Sequence, residues 1–130
     1  MRNIFRHGRI LIIFLLSFSM SACDSDTYWE DDTYIVAWVD TGDNVMVYRK
    51  LGDGASIARI VPEVVAVASD NKYLTARVRP IGAAINVYYY LVKSLDNDFL
   101  NGNEIAIGPL REMEFEAKRE ILNFPEPVDF

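Results

Sequence analysis

Cysteine and histidine side chains supply most nucleophilic and metal-ligating chemistry in proteins, and this chain has one of each, Cys23 and His7. Residues 24–130 contain neither type. That stretch therefore has no Ser-His-Asp or Cys-His arrangement for nucleophilic catalysis. It also has no imidazole or thiolate ligand for zinc, copper or iron. With a single cysteine there is no disulfide within the chain, so the stability of the fold must come from the packing of its core.

The remaining candidate chemistry is that of carboxylates. Residues 96–98 (Asp-Asn-Asp) and 101–104 (Asn-Gly-Asn-Glu) loosely resemble a calcium-binding loop. The glycine of an EF-hand is the sixth residue from the first aspartate, whereas Gly102 is the seventh, and no glutamate follows at the required distance. We expect a solvated loop, with no metal and no cofactor. A carboxylate pair of the kind used by glycosidases remains an alternative, because the chain has many acidic residues.

The first residues have the pattern of a targeting segment. Arg2, Arg6 and Arg9 form a positive region, and residues 10–18 are an apolar run. A membrane-spanning helix needs roughly 20 apolar residues, and here the run reaches only Ala22 before the acidic residues begin. We therefore interpret residues 1–22 as a signal peptide that is cleaved.

Residues 20–23 (Met-Ser-Ala-Cys) resemble the lipobox of bacterial lipoproteins, in which an aliphatic residue and two small residues precede a cysteine. This resemblance implies cleavage before Cys23 and a covalent lipid, including palmitate, on that cysteine. The lipid would hold the protein to a membrane of the cell envelope, facing the periplasm. Asp24 resembles the sorting signal that keeps enterobacterial lipoproteins at the inner membrane. The alternative is an ordinary signal peptide with an unrelated thiol beside the cleavage site.

Charge limits the classes of partner. Removing residues 1–22 removes three arginines, so ten basic residues remain against nineteen acidic ones, a formal charge of −9. Such a chain is repelled by phosphate backbones, which argues against nucleic-acid binding. It is also repelled by anionic lipid headgroups, so attachment would depend on acyl chains. Residues 23–32 are rich in acidic residues, and we predict an extended acidic tether there.

Residues 33–130 predict a single domain built from short strands. β-Branched and aromatic runs are separated by turn residues at spacings too short for crossover helices, so the strands should pair antiparallel. The predicted fold class is α+β: an antiparallel β-meander of about six to seven short strands with one C-terminal helix packed on the sheet. The strands are expected at 33–39, 45–51, 56–61, 64–68, 73–79, 85–93 and 104–107.

Gly108-Pro109 is predicted to open the helix, which would run from Leu110 to about Leu122, because proline suits the first helical position. Apolar residues at steps of three and four predict the side that packs on the sheet: Leu110, Met113, Ala117 and Ile121. Phe115 and Leu122 lie on a second side, where they could meet the tail around Phe124 or a partner.

Strand alternation divides residues 73–79 between two faces. Leu74, Ala76 and Val78 are predicted to face the core, and the other face contains residues that are enriched at protein interfaces. With the next strand, this face forms the possible partner-binding site: Tyr73, Arg77, Arg79, Tyr88 and Tyr90. Two alternatives are an ordinary solvated sheet face, and a strand in which Tyr88 and Tyr90 are buried while Val87, Tyr89 and Leu91 face outward.

The order of several segments is similar to that of a group of small uncharacterised bacterial lipoproteins. The similarity rests on residues 64–77, the tyrosines at 88–90, Gly-Pro-Leu at 108–110, and Phe115 with Arg119. It implies a β-hairpin, a tyrosine-rich strand and a helix start, and it implies no activity.

These observations favour a non-catalytic, membrane-anchored protein that binds a protein partner in the envelope. A toxin immunity protein or an accessory of envelope assembly would fit, and an acidic inhibitor of a basic toxin would gain association rate from its charge. The alternatives are a carboxylate-dependent enzyme acting on cell-wall glycans and a structural component of the envelope.

Overall fold

The computed structural model describes residues 25–130, except 41 and 43. The described part contains nine strands in two antiparallel sheets. The first sheet has the order β1-β2-β3-β4, formed by Ser25–Glu30, Tyr34–Val39, Val45–Gly52 and Ala55–Ile60. The second has the order β8-β7-β6-β5-β9, formed in chain order by Val64–Ser69 (β5), Tyr73–Val78 (β6), Val87–Val92 (β7), Ile107–Leu110 (β8) and Val128–Asp129 (β9). Helix α1 is Gly102–Ile105, and helix α2 is Glu112–Leu122.

The main core contains buried side chains from both sheets. It is built mostly from β-branched residues at alternate strand positions, as a half-buried sheet requires. Leu74, Ala76 and Val78 of β6 are each no more than 1% exposed, which confirms their predicted orientation. Val36 and Val47 of the first sheet belong to the same core cluster.

A second core lies on the other face of the second sheet, under helix α2 and the C-terminal tail. Its buried members are Tyr88, Tyr90, Phe115 and Phe124. The Phe115 ring lies 4.7 Å from that of Tyr88, and the Phe124 ring 4.9 Å from that of Tyr90, measured between centroids. The predicted class, an α+β meander with a C-terminal helix, is confirmed, although there are more strands than predicted.

The acidic segment predicted to be a tether forms strand β1 over Ser25–Glu30. It pairs antiparallel with β2 at the edge of the first sheet. Trp29 packs against the main core, while Asp26 and Glu30 stay exposed. Acidic side chains on an edge strand are compatible with folding and discourage pairing with another chain. Composition alone therefore misled the prediction for residues 25–30.

The second difference is at the helix start. Gly108 and Pro109 belong to strand β8, and helix α2 begins at Glu112. A Cβ atom on Gly108 would lie 2.6 Å from the Tyr89 ring, so only glycine allows β8 to approach β7 this closely. Of the strand predicted at 104–107, Glu104 and Ile105 belong to α1, whereas Ile107 begins strand β8. At the start of α1 the Asn101 N–H donates to the Glu104 carboxylate at 2.6 Å.

The third difference is the side of α2 that faces the sheet. Met113 and Ile121, predicted to pack inward, are 85% and 81% exposed, whereas Phe115 is fully buried. The aromatic contacts of Phe115 with Tyr88 and Phe124 set the rotation of the helix. The expectation that the Phe115 side could meet the tail at Phe124 is confirmed.

Candidate functional site

The predicted lipidation and sorting residues, Cys23 and Asp24, lie outside the described residues. Strand β1 begins at Ser25, two positions after Cys23. Lipidation and sorting therefore stay predictions from the sequence.

The structure brings four of the five predicted partner-binding residues to one face of the second sheet. Arg77 of β6 is the register partner of Tyr88 in β7, and Thr75 is that of Tyr90. Tyr73 makes an edge contact with Tyr90, with the ring centroids 6.4 Å apart. Arg79 lies just beyond the end of β6 and is exposed.

This face is not open to a partner as predicted. Tyr88 is 7% exposed and Tyr90 is 5% exposed, because α2 and the tail cover them. The alternative that Tyr88 and Tyr90 are buried is confirmed, but its expectation that Leu91 faces outward is wrong, since Leu91 on the opposite face is 0% exposed. Both faces of β7 are therefore buried. A partner could contact this part of the second sheet only at the edge of the area that α2 and the tail cover.

Arg77 lies at that edge. Its side chain is 24% exposed and forms an ion pair with Asp129 of β9. Its Nε atom is buried and has no hydrogen-bond partner among the described residues. Arg77 is therefore held between the covered tyrosines and the surface, where it contributes to a groove.

The groove runs between α2 and the segment that precedes β7. Its volume is about 910 Å³. Two of its side chains are apolar and largely exposed, Ile85 at 71% and Met113 at 85%. The lining residues are Arg77, Ile85, Asn86, Tyr88, Arg111, Glu112, Met113, Glu114 and Ala117.

Charges of both signs flank the apolar side chains of the groove. Arg111 Nε donates to the Glu114 carboxylate at 2.6 Å, and this bond lowers the pKa of Glu114. Burial raises the pKa of Tyr88; Glu112 adds to the increase and the Arg77 guanidinium opposes it. The groove thus offers apolar contact together with both anionic and cationic groups.

The sequence analysis missed a buried ion pair between Arg59 and Asp96. Both side chains are 0% exposed, and their closest charged atoms are 3.0 Å apart. The Tyr34 hydroxyl also donates to Asp96, at 2.8 Å. Burial and the neighbouring Asp96 raise the pKa of Tyr34 above its usual range. Arg59 further donates to the carbonyl oxygens of Asn97 and Leu100, at 2.8 and 2.9 Å. The loop that resembled a calcium site is therefore tied to β4 by an arginine.

A second partly buried carboxylate, Asp31, has a comparable structural role. It accepts hydrogen bonds from the backbone N–H groups of Thr33 and Tyr34, at 2.8 and 2.7 Å. Burial alone would raise the pKa of Asp31, but these bonds and nearby Lys93 outweigh it and lower the pKa. Its partners show that Asp31 fixes the turn between β1 and β2.

Within the described residues, no group of three or more acidic, histidine or cysteine side chains is arranged to hold a metal ion. None of the helices in that part of the chain is long and apolar enough to cross a membrane. A smaller cleft of about 410 Å³ lies between β4 and β8 and is lined mainly by apolar residues such as Met46, Ile60 and Tyr89.

No protein family, curated protein or solved structure matches the chain.

Proposed function

We propose that the protein is an envelope lipoprotein, anchored by lipid on Cys23, that acts as a non-catalytic protein-binding module. Toxin immunity and assistance in envelope assembly are the kinds of role that fit. The anchor is supported by the targeting pattern of residues 1–22 and by the lipobox-like residues that end at Cys23.

The observation that carries the binding role is the groove beside α2. Met113 and Ile85 are both largely exposed and line the same groove, so their apolar surface is grouped in one concave site instead of being scattered singly over the domain. Exposed apolar surface rimmed by polar residues marks interaction sites. Methionine adapts its shape to a partner, and arginine is enriched at interface centres.

The partner is expected to be a protein rather than a small ligand. The groove is open along α2, and its apolar side chains are flanked by Arg77, Arg111, Glu112 and Glu114. Charged groups at the rim of an interface select a partner and its orientation more than they add affinity. A segment with apolar side chains and charges of both signs would complement these features.

The anchor is tested by replacing Cys23 with Ala. We expect the variant to lose labelling by a palmitate analogue and to leave the membrane fraction, because acyl chains on the cysteine would provide the attachment. Ser21→Thr, which leaves the cysteine in place, is the matched control and should retain labelling. Membrane fractionation of Cys23→Ala at wild-type size and yield would contradict the anchor.

The groove is tested by in-cell cross-linking of the full chain, followed by affinity purification and mass spectrometry. The double variant Ile85→Ala, Met113→Ala should reduce recovery of the cross-linked partner by about tenfold, corresponding to ~1.4 kcal/mol of lost binding free energy. The control, Phe99→Ala with Ile121→Ala, removes two side chains that are similarly exposed but lie outside the groove.

Equal recovery of the partner with both double variants would place the binding surface elsewhere. Failure of the wild-type chain to capture any protein would instead favour a structural component of the envelope.

A further inference from the structure

The distance between the anchor and the folded domain is very short. Strand β1 begins at Ser25, only two positions after Cys23. An extended chain spans at most about 3.3–3.6 Å per residue, so Ser25 would lie within about 7 Å of the lipidated cysteine. Given the proposed anchor, on which this inference rests, no long tether separates the domain from the bilayer.

The direction of the strands shows which end of the domain is closest to the anchor. Ser25 pairs with Val39, so the start of β1 lies beside the turn that joins β2 and β3. The link between β4 and β5 lies beside the end of β6, where Glu63 and Arg79 exchange backbone hydrogen bonds of 3.1 and 2.9 Å. We call this the anchor end; its described segments are residues 39–44 except 41 and 43, residues 61–63, residues 79–86, and residue 111.

The opposite end, which we call the far end, contains the other connections. Asp31, after β1, accepts a hydrogen bond of 3.1 Å from Ser69 at the end of β5, which places these connections of the two sheets together. The far-end segments are residues 31–33, 53–54, 70–72 and 93–100.

The charge of the two ends differs. The far-end segments contain six acidic residues, of which Asp96 is buried in an ion pair, and two basic residues. The described residues of the anchor-end segments contain two acidic residues, Asp40 and Glu63, and two basic ones, Arg79 and Arg111. Asp24, which lies outside the described residues, is a further acidic residue next to the anchor in the sequence. Arg79 at the anchor end is exposed and forms no ion pair within the described part of the chain. Because anionic headgroups repel acidic surface, the anchor end is the one that a bilayer tolerates better.

Exposed apolar side chains occur at both ends, but at the far end Leu95 and Phe99 come from the single segment 93–100, whereas at the anchor end they are spread over several segments. Val39, Val61 and Ile81 come from three separate segments and are 46%, 52% and 69% exposed. Exposed apolar side chains held at an interface enter the boundary between headgroups and acyl chains, and an exposed arginine beside them can reach phosphate oxygens.

We propose that the anchor end lies directly on the lipid surface, with Ile81 at headgroup level and the far end pointing away from the membrane. Ile85, Asn86 and Arg111 belong both to the anchor end and to the groove, and helix α2 begins at Glu112, so the groove opens at the membrane surface. A partner that uses the groove would then meet this domain at the bilayer surface.

The test places a nitroxide spin label at either end of the lipidated mature chain, which begins at Cys23, in phosphatidylcholine vesicles. The variants are Ile81→Cys and Phe99→Cys; Phe99 is the matched control, because it is apolar, 92% exposed and at the far end. Lipid occupies Cys23, so the introduced thiol is the one available for labelling. Collisions with oxygen, which concentrates in lipid, and with a water-soluble nickel chelate are measured by electron paramagnetic resonance.

We expect the oxygen-to-nickel collision ratio at position 81 to be severalfold higher in the vesicle-bound lipidated chain than in an unlipidated chain that begins at residue 23, carries Cys23→Ala and is dissolved in detergent-free buffer. The ratio at position 99 should remain unchanged. Contact at position 99, or equal water exposure at both positions in chains that float with vesicles, would overturn the orientation and leave the anchor intact. Chains that do not float with vesicles would overturn the anchor itself, and the orientation with it.

Discussion

Replacing Arg59 with Met is expected to lower the free energy of unfolding by about 3–5 kcal/mol, because it leaves the buried Asp96 carboxylate without its main counter-charge. Both side chains are 0% exposed, so water cannot replace the lost partner without opening the loop. Methionine keeps much of the arginine stem, which limits the loss of packing. The Arg49 guanidinium, 3.6 Å from Asp96, provides only part of the compensation.

Urea unfolding of the domain measures this effect. Arg111→Met is the control, since it breaks an ion pair whose side chains are 83% and 43% exposed, and it should cost less than about 1 kcal/mol. The double variant Arg59→Met, Asp96→Asn should be more stable than Arg59→Met alone, because it removes the unpaired charge. If the double variant is no more stable than Arg59→Met, the loss comes from packing and from the hydrogen bonds of Arg59 to the carbonyl oxygens of Asn97 and Leu100, and the buried charge is not its cause.

The class of fold could be predicted because it depends on local patterns. Turn residues between short β-branched runs are sufficient to indicate an antiparallel meander, and alternation alone places Leu74, Ala76 and Val78 on the core side. Strand β1 was missed because its acidic composition is typical of a solvated segment. Its place at a sheet edge, with Trp29 in the core, depends on the rest of the fold.

The site was predictable only in part. The shared face of Arg77, Tyr88 and Tyr90 follows from strand periodicity, but its covering by α2 and the tail does not. That covering depends on Phe115 meeting Phe124, which no local pattern distinguishes from the competing stripe of Met113 and Ile121. The Arg59–Asp96 pair joins residues 37 positions apart, so no spacing in the sequence signals it.

Phe115 holds α2 and the C-terminal tail over Tyr88 and Tyr90. Phe115→Ala is expected to lower the free energy of unfolding by about 3–5 kcal/mol. The ring is 0% exposed, stacks on Tyr88 at 4.7 Å between centroids and makes a tilted contact with Phe124 at 5.1 Å. Removing the Phe115 ring leaves a cavity. Helix α2 has no other buried side chain that would hold the helix on the sheet. Tyr88 and Tyr90 should therefore become accessible to water.

Chemical denaturation gives the loss of stability, and amide hydrogen exchange shows where it is located. Exchange should accelerate first in α2 and the tail, while Leu74 in the main core remains protected until global unfolding. Met113→Ala on the same helix is the control and should change stability by less than about 0.5 kcal/mol, because that side chain is already 85% exposed. If Phe115→Ala proves equally mild, the helix is held by other contacts. The groove that depends on its position would then be a weaker candidate for a binding surface.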